Sequence, residues 1–188
     1  MDARRADEII SRWPDASREA AELVIKQYGE PHEVTPSRLQ WNGVGPWKRV
    51  IATETSFDHA FPAPHTDSVE GVLDYRVPVD KFTELAAFDG SVVGERTAGE
   101  ISARCHDEQA NFLALNLAHE ICTGARSVQS AREYYAKEFL DARRHEPTPY
   151  MQELRFSPGG ATTDPDVRAL TDEAMERAVS EGENKGGA

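Results

Sequence analysis

Apolar positions recur at helical spacing over residues 107–124, DEQANFLALNLAHEICTG, the longest apolar segment of the chain. Winding this segment at roughly 100° per residue gathers Ala110, Leu113, Ala114, Leu117, Ala118 and Ile121 on one arc. The reverse side mixes Glu108, Asn111, Asn116, His119, Glu120 and Thr123 with Phe112, Leu115 and Cys122. That pattern predicts a central helix held between two layers, capped by Asp107 and stopped by Gly124. A helix is expected over 16–28, with Ala20, Leu23, Val24 and Tyr28 on one face and Gly29 and Pro31 ending it. Another follows Ser127 as N-cap, with Val128, Ala131, Tyr135, Phe139 and Ala142 in register. Short helices are expected over 2–12 and, with Asp80 as cap, over 81–88.

Elsewhere the pattern is that of strands. Residues 38–42 and 47–55 flank Asn42-Gly43-Val44-Gly45-Pro46, a run dense in turn formers. In WKRVIATET, Trp47, Arg49, Ile51 and Thr53 alternate with Lys48, Val50 and Ala52, so neither face is cleanly polar and a central strand is predicted. Strands are also expected at 71–77 and, as a hairpin across Ala98-Gly99, at 91–97 and 100–105. Between them residues 56–70, SFDHAFPAPHTDSVE, carry too much proline for a regular element and too many aromatics for a disordered linker; an ordered loop is predicted. Short connections imply antiparallel pairing. The fold expected is α+β and two-layer, a mostly antiparallel sheet of about five strands packed against helices.

Four regions are delimited on the same grounds: an N-terminal extension (1–14), the core domain (15–145), a docking arm between prolines (146–160), and an acidic C-terminal tail (161–188). The tail is expected to be largely flexible, with one helix over 167–179 capped by Asp164 or Asp166 and a disordered end, GENKGGA. A length of 188 residues fits one domain with a tail. The formal charge of −12 argues against binding nucleic acid or an anionic membrane surface, since each needs a basic footprint. No run approaches the ~18 apolar residues of a membrane span, and the N-terminus lacks a secretory core, so a cytoplasmic location is expected. Cys105 and Cys122 lie at opposite ends of the central helix, too far apart for a disulfide.

Signatures of nucleotide-binding loops, serine hydrolases, CxxC pairs and HExxH metalloproteases are absent. Three constellations carry candidate chemistry. His59, His65 and Asp67 place two imidazoles and a carboxylate on one constrained segment, a donor set for a divalent metal such as Zn or Fe. The competing reading is a turn in which Thr66 or Asp67 bonds backbone amides. Asn111, Asn116 and His119 form a polar row on the mixed helix face that could line a ligand pocket, with Cys122 one turn beyond His119; such residues equally satisfy backbone groups of a covering layer. Cys105 meets the start of the central helix, where the dipole favours a thiolate, but Asp107 and Glu108 oppose it and a buried, inert thiol is the expectation.

The segments YGEPHEVTPSRLQW, GPWKR, PHTD, LDYRVP, FDGSVVGERTAGEISARC and NFLALNLAHEICTG together resemble a family of small uncharacterised bacterial proteins, over about residues 16–156. The resemblance implies a bacterial, self-contained domain and carries no activity, cofactor or residue role. The leading functional expectation is a domain that binds a small molecule or protein partner through the 56–70 loop and the mixed face of the central helix, with Phe57 and Phe61 as contact residues. Two alternatives stand beside it: a metal-dependent enzyme using His59, His65 and Asp67, and an accessory or scaffold subunit of another protein.

Overall fold

A computed structural model describes the backbone of residues 4–186 and the side chains of residues 6–183. In chain order the elements are α1 (Arg4–Ile10), α2 (Asp15–Tyr28), β1 (Glu33–Thr35), β2 (Arg38–Val44), β3 (Trp47–His59), β4 (His65–Asp74), a 3₁₀ turn (Val79–Lys81), α3 (Phe82–Phe88), β5 (Val92–Glu95), β6 (Glu100–Cys105), α4 (Glu108–Thr123), α5 (Val128–Arg143), α6 (Pro149–Gln152) and α7 (Asp172–Gly186). The strands form one sheet in the order β1-β2-β3-β4-β6-β5, antiparallel throughout. The α+β architecture is as expected, with six strands rather than five. The extra one, β1, is only three residues long and too short to leave an alternating pattern.

α4 is the organising element. The Asp107 carboxylate accepts the Ala110 N–H at 2.8 Å, and Gly124 closes the helix in the left-handed conformation at φ 76°. Its apolar arc, Leu113, Ala114, Leu117, Ala118 and Ile121, is fully buried. Much of the reverse side is buried as well, at Asn111, Phe112, Leu115, Asn116 and Cys122: the Trp47 indole stacks on Phe112 at 5.0 Å between ring centroids, and α6 lies over the middle of the helix, while His119 and Glu120 are half-buried and Thr123 is exposed. α2 covers β3 and β4 on the same side of the sheet, and Ala6, Ile10 and Trp13 carry the core up to the N-terminus. Among the described residues no helix is long and apolar enough to cross a membrane.

Several elements differ from the expected ones. Residues 56–70 are largely strand, because Pro62 and Pro64 fall inside the β3–β4 turn, where they remove no ladder hydrogen bond. A register shift between Ala52 and Phe57 lets β3 run on to His59. β4 correspondingly starts at His65 and ends at Asp74, three residues earlier than predicted. Trp47 turns to the helical side rather than sharing a face with Arg49, drawn there by Phe112 and by Glu108, which accepts its indole N–H at 2.6 Å. Asp80 does not cap α3: it sits inside the 3₁₀ turn, and Lys81 occupies the cap position without a side-chain bond. α7 starts later than 167, with the Thr171 hydroxyl accepting the Ala174 N–H at 3.2 Å, and its backbone continues through Gly186. Asp2 and Ala3 of the expected first helix, and Gly187 and Ala188 of the expected disordered end, lie outside the described residues.

Candidate metal centre

The β3–β4 hairpin builds the site. His59 and His65 are directly paired across it, and the two-residue period of a strand puts Asp67 on the same face as His65. Two positions further on that face lies Val69, fully buried, so Asp67 points into the end of the apolar layer and is itself 0% exposed. α3 closes the site: its last residue, Phe88, packs against Phe61, and the next, Asp89, is 2% exposed. Tyr135 of α5 lies against both Phe61 and Phe88. Solvent reaches the histidines from the other side, through a shallow depression bounded by Asp58, His59, Ala60, Pro64, His65 and Thr66.

Each donor is held by a second contact. His65 Nδ1 lies 2.8 Å from the Ala63 carbonyl, which can only accept, so Nδ1 carries a proton; Nε2 lies 3.0 Å from Asp67 Oδ1, facing it as a cation when protonated and free to ligate an ion when not. His59 directs Nδ1 to Asp67 Oδ2 at 3.0 Å and Nε2 to Asp89 Oδ1 at 3.6 Å. The Ser91 hydroxyl donates to Asp67 Oδ2 at 2.7 Å, and the Ser91 N–H donates to Asp89 Oδ1 at 2.8 Å. Yet His59 Nδ1 and Asp67 Oδ1 are buried without a hydrogen bond of acceptable alignment. Such contacts fit imidazolium–carboxylate ion pairs and equally fit donors grouped around one ion. Adjacent ligands each about 2.1 Å from an ion stand roughly 3.0 Å apart at right angles. One donor atom from each of His59, His65 and Asp67 falls within 4.8 Å of the others. Ligands of a tetrahedral ion at that distance stand about 3.4 Å apart, so closure needs the donors to draw together by more than an ångström, through side-chain rotation.

Charge points the same way. Asp67 and Asp89 are both buried, and among the described residues no Lys or Arg pairs with either; their only cationic partners are the two histidines. Burial acts to raise the Asp67 pKa, but the contacts with His65 and Ser91 outweigh it and hold the carboxylate below its ordinary range. The Asp67 contact in turn raises the His65 pKa against the effect of burial. Burial dominates at Asp89 and pushes its carboxyl up. Two buried carboxyls facing two imidazoles require a positive charge among them, which either protons on the imidazoles or one divalent cation would supply.

The other sequence-derived candidates have different partners. Asn116 is occupied by the arm: its Nδ2 donates to the carbonyls of Tyr150 and Glu153 at 3.0 and 2.8 Å, and its Oδ1 accepts the Arg155 N–H at 2.7 Å. His119 stacks on Phe156 at 4.3 Å and lies 3.0 Å from the Tyr75 hydroxyl, its pKa lowered by burial. Asn111, on the sheet side, donates to the Val69 carbonyl at 3.1 Å. Phe57 is 49% exposed beneath the Arg104 guanidinium, whereas Phe61 is packed against the site. The aromatic pair and the polar row are thus not brought together. Cys105 and Cys122 are free thiols; burial raises both, Cys105 well above its ordinary value and Cys122 to about 11. Asp89, Ser91 and the Ala63 carbonyl were not singled out in the sequence. Phe88-Asp89-Gly90-Ser91 reads as a helix stop, and nothing local connects it to the hairpin.

No family model matches the chain, and neither a curated protein nor a solved structure matches it.

Proposed function

We propose that this protein binds a divalent transition metal, Zn²⁺ or Fe²⁺, through His59, His65 and Asp67, and that it acts as a metal-dependent enzyme. The observation that carries the reading is the convergence of two imidazoles on a fully buried carboxylate at 3.0 Å without hydrogen-bond alignment, with the far nitrogen of His65 tied to a backbone carbonyl. Three protein donors leave coordination positions open, and the depression beside the histidines gives water or a small substrate a way in. A bound ion would supply Lewis acidity, polarising an oxygen of a substrate or lowering the pKa of a water. The chain's own contribution is placement: Ala63 and Asp89 orient the two rings, Ser91 orients Asp67, and Phe61, Phe88 and Tyr135 shield the inner side from water.

The test is elemental analysis of protein purified without a histidine tag, compared with His65→Ala and Asp67→Ala. The reading expects close to one equivalent of metal in the wild type and a loss of at least about tenfold in each variant. A wild type that stays metal-free after incubation with Zn²⁺ and with Fe²⁺ under anaerobic conditions would overturn it.

A further inference from the structure

A groove of about 360 Å³ runs between α2 and the first turn of α4. A concavity of that size suits a small molecule. Ala20, Leu23 and Val24 form its apolar wall and Val50 its floor; Leu23 is 53% exposed, a large apolar side chain with no cover. Glu108 stands at one end. Its Oε1 accepts two hydrogen bonds, from the Trp47 indole N–H at 2.6 Å and from the Tyr28 hydroxyl. The Tyr28 hydroxyl is confined in turn by the β2–β3 turn, where a Cβ at Gly45 would stand 2.6 Å from it. Both donors are neutral. They fix the carboxylate in one orientation without cancelling its charge, and among the described residues no Lys or Arg forms an ion pair with Glu108. Both bonds end on Oε1, which leaves Oε2 able to accept from a further donor. Lys26 also lines the groove; it is an exposed residue and forms no ion pair with Glu108.

The geometry points to a binding site for a small organic cation, an ammonium group carried on an apolar chain or ring. The apolar part lies along Ala20, Leu23 and Val24, and the ammonium meets Glu108, where a charge-assisted hydrogen bond rewards a cation over an alcohol of the same shape. A carboxylate on the same chain is disfavoured by like charge. This site shares no residue with the metal centre and does not depend on it.

The test uses the full chain and three probes of equal length, n-hexylammonium, 1-hexanol and hexanoate, titrated while following the amide signals of residues 20–28 and 107–110 and the Trp47 indole N–H by NMR. Saturable shifts are expected with n-hexylammonium, and binding about tenfold or more weaker with the other two. Glu108→Gln preserves an acceptor for Trp47 and Tyr28, and should weaken the ammonium about tenfold while leaving the alcohol unchanged. Leu23→Trp, at an exposed position that folding does not depend on, should fill the groove and weaken every probe. The proposal is overturned if the ammonium gives no saturable shifts, if the alcohol binds as well as the ammonium, or if Glu108→Gln leaves ammonium affinity unaltered.

Discussion

Replacing Asn116 by leucine isolates what holds the arm to the core. Three hydrogen bonds join this side chain to the arm backbone, at Tyr150, Glu153 and Arg155, and Asn116 is 1% exposed. Each is worth about 1 kcal/mol net, so their sum is about 3 kcal/mol. Leucine has the same branched shape but is bulkier, and it leaves two carbonyls and one N–H without partners; each group so stranded adds roughly a further 1 kcal/mol unless it regains water. The cheapest way to regain water is for the arm to lift. The remaining anchors would then be Glu138, which accepts the Tyr150 N–H at 3.2 Å, the stacking of Phe156 on His119, and the burial of Met151. Lifting the arm limits the loss, so the expected destabilisation of Asn116→Leu is about 2–4 kcal/mol in urea unfolding. Limited trypsinolysis should show cleavage after Arg155 well before the core is cut. A change below about 0.5 kcal/mol together with unaltered cleavage at Arg155 would refute the assignment of Asn116 to the arm.

Other perturbations have equally definite outcomes. Glu100 accepts from Arg49 at 2.8 and 2.5 Å and pairs with Lys48 at 2.9 Å; the Arg49 bonds lead in lowering its pKa, to about 2 from an ordinary 4.5. A depressed carboxylate stabilises the fold above its unfolded pKa. Glu100→Gln should therefore cost on the order of 1–2 kcal/mol at pH 7, after allowance for solvent screening, and urea titrations should show the deficit shrinking as pH falls from 4.5 towards 2. Gly71→Ala would place a Cβ 2.5 Å from the Trp47 ring, so the indole must leave its stack on Phe112; calorimetry should register a loss of about 1–3 kcal/mol. Leu113→Ala opens a cavity in the fully buried arc of α4 and should cost about 3–5 kcal/mol by the same assay. Asp89→Asn removes the carboxylate behind His59, and should weaken metal binding about 10–100-fold in a competition titration while leaving the β3–β4 hairpin intact.

Where one helix or hairpin carried its own punctuation, the fold was legible in the sequence. Asp107 with Gly124 delimits α4, Ser127 caps α5, Gly29 ends α2, and Ala98-Gly99 marks the β5–β6 turn; each acts through a local backbone requirement that residue type reveals. What failed was local chemistry outweighed by tertiary contact. The prolines of residues 56–70 masked two strand ends because a turn needs only five residues, and Trp47 left its expected face for a stacking partner some 65 positions away in the chain. The same division applies to the candidate site. His59, His65 and Asp67 were visible because a hairpin brings near neighbours together, whereas Asp89 and Ser91 reach the centre only through the packing of α3 against the hairpin turn. Asn116 was visible as a buried-looking amide, but its partners belong to an arm some 35 residues further on, and nothing in the periodicity of α4 distinguishes an arm from a ligand.

Metal binding by this cluster is tested most sharply by titration with Co²⁺, whose visible absorption reports nitrogen and carboxylate coordination, on wild type, His65→Ala and Asp67→Ala. Coordination by these three side chains should give a visible band that saturates at one equivalent in the wild type, is displaced by Zn²⁺, and is lost in both variants. A wild type with no saturable band, or a band unchanged by His65→Ala, would contradict it and leave the His59–Asp67–His65 cluster as a proton-bridged charge cluster.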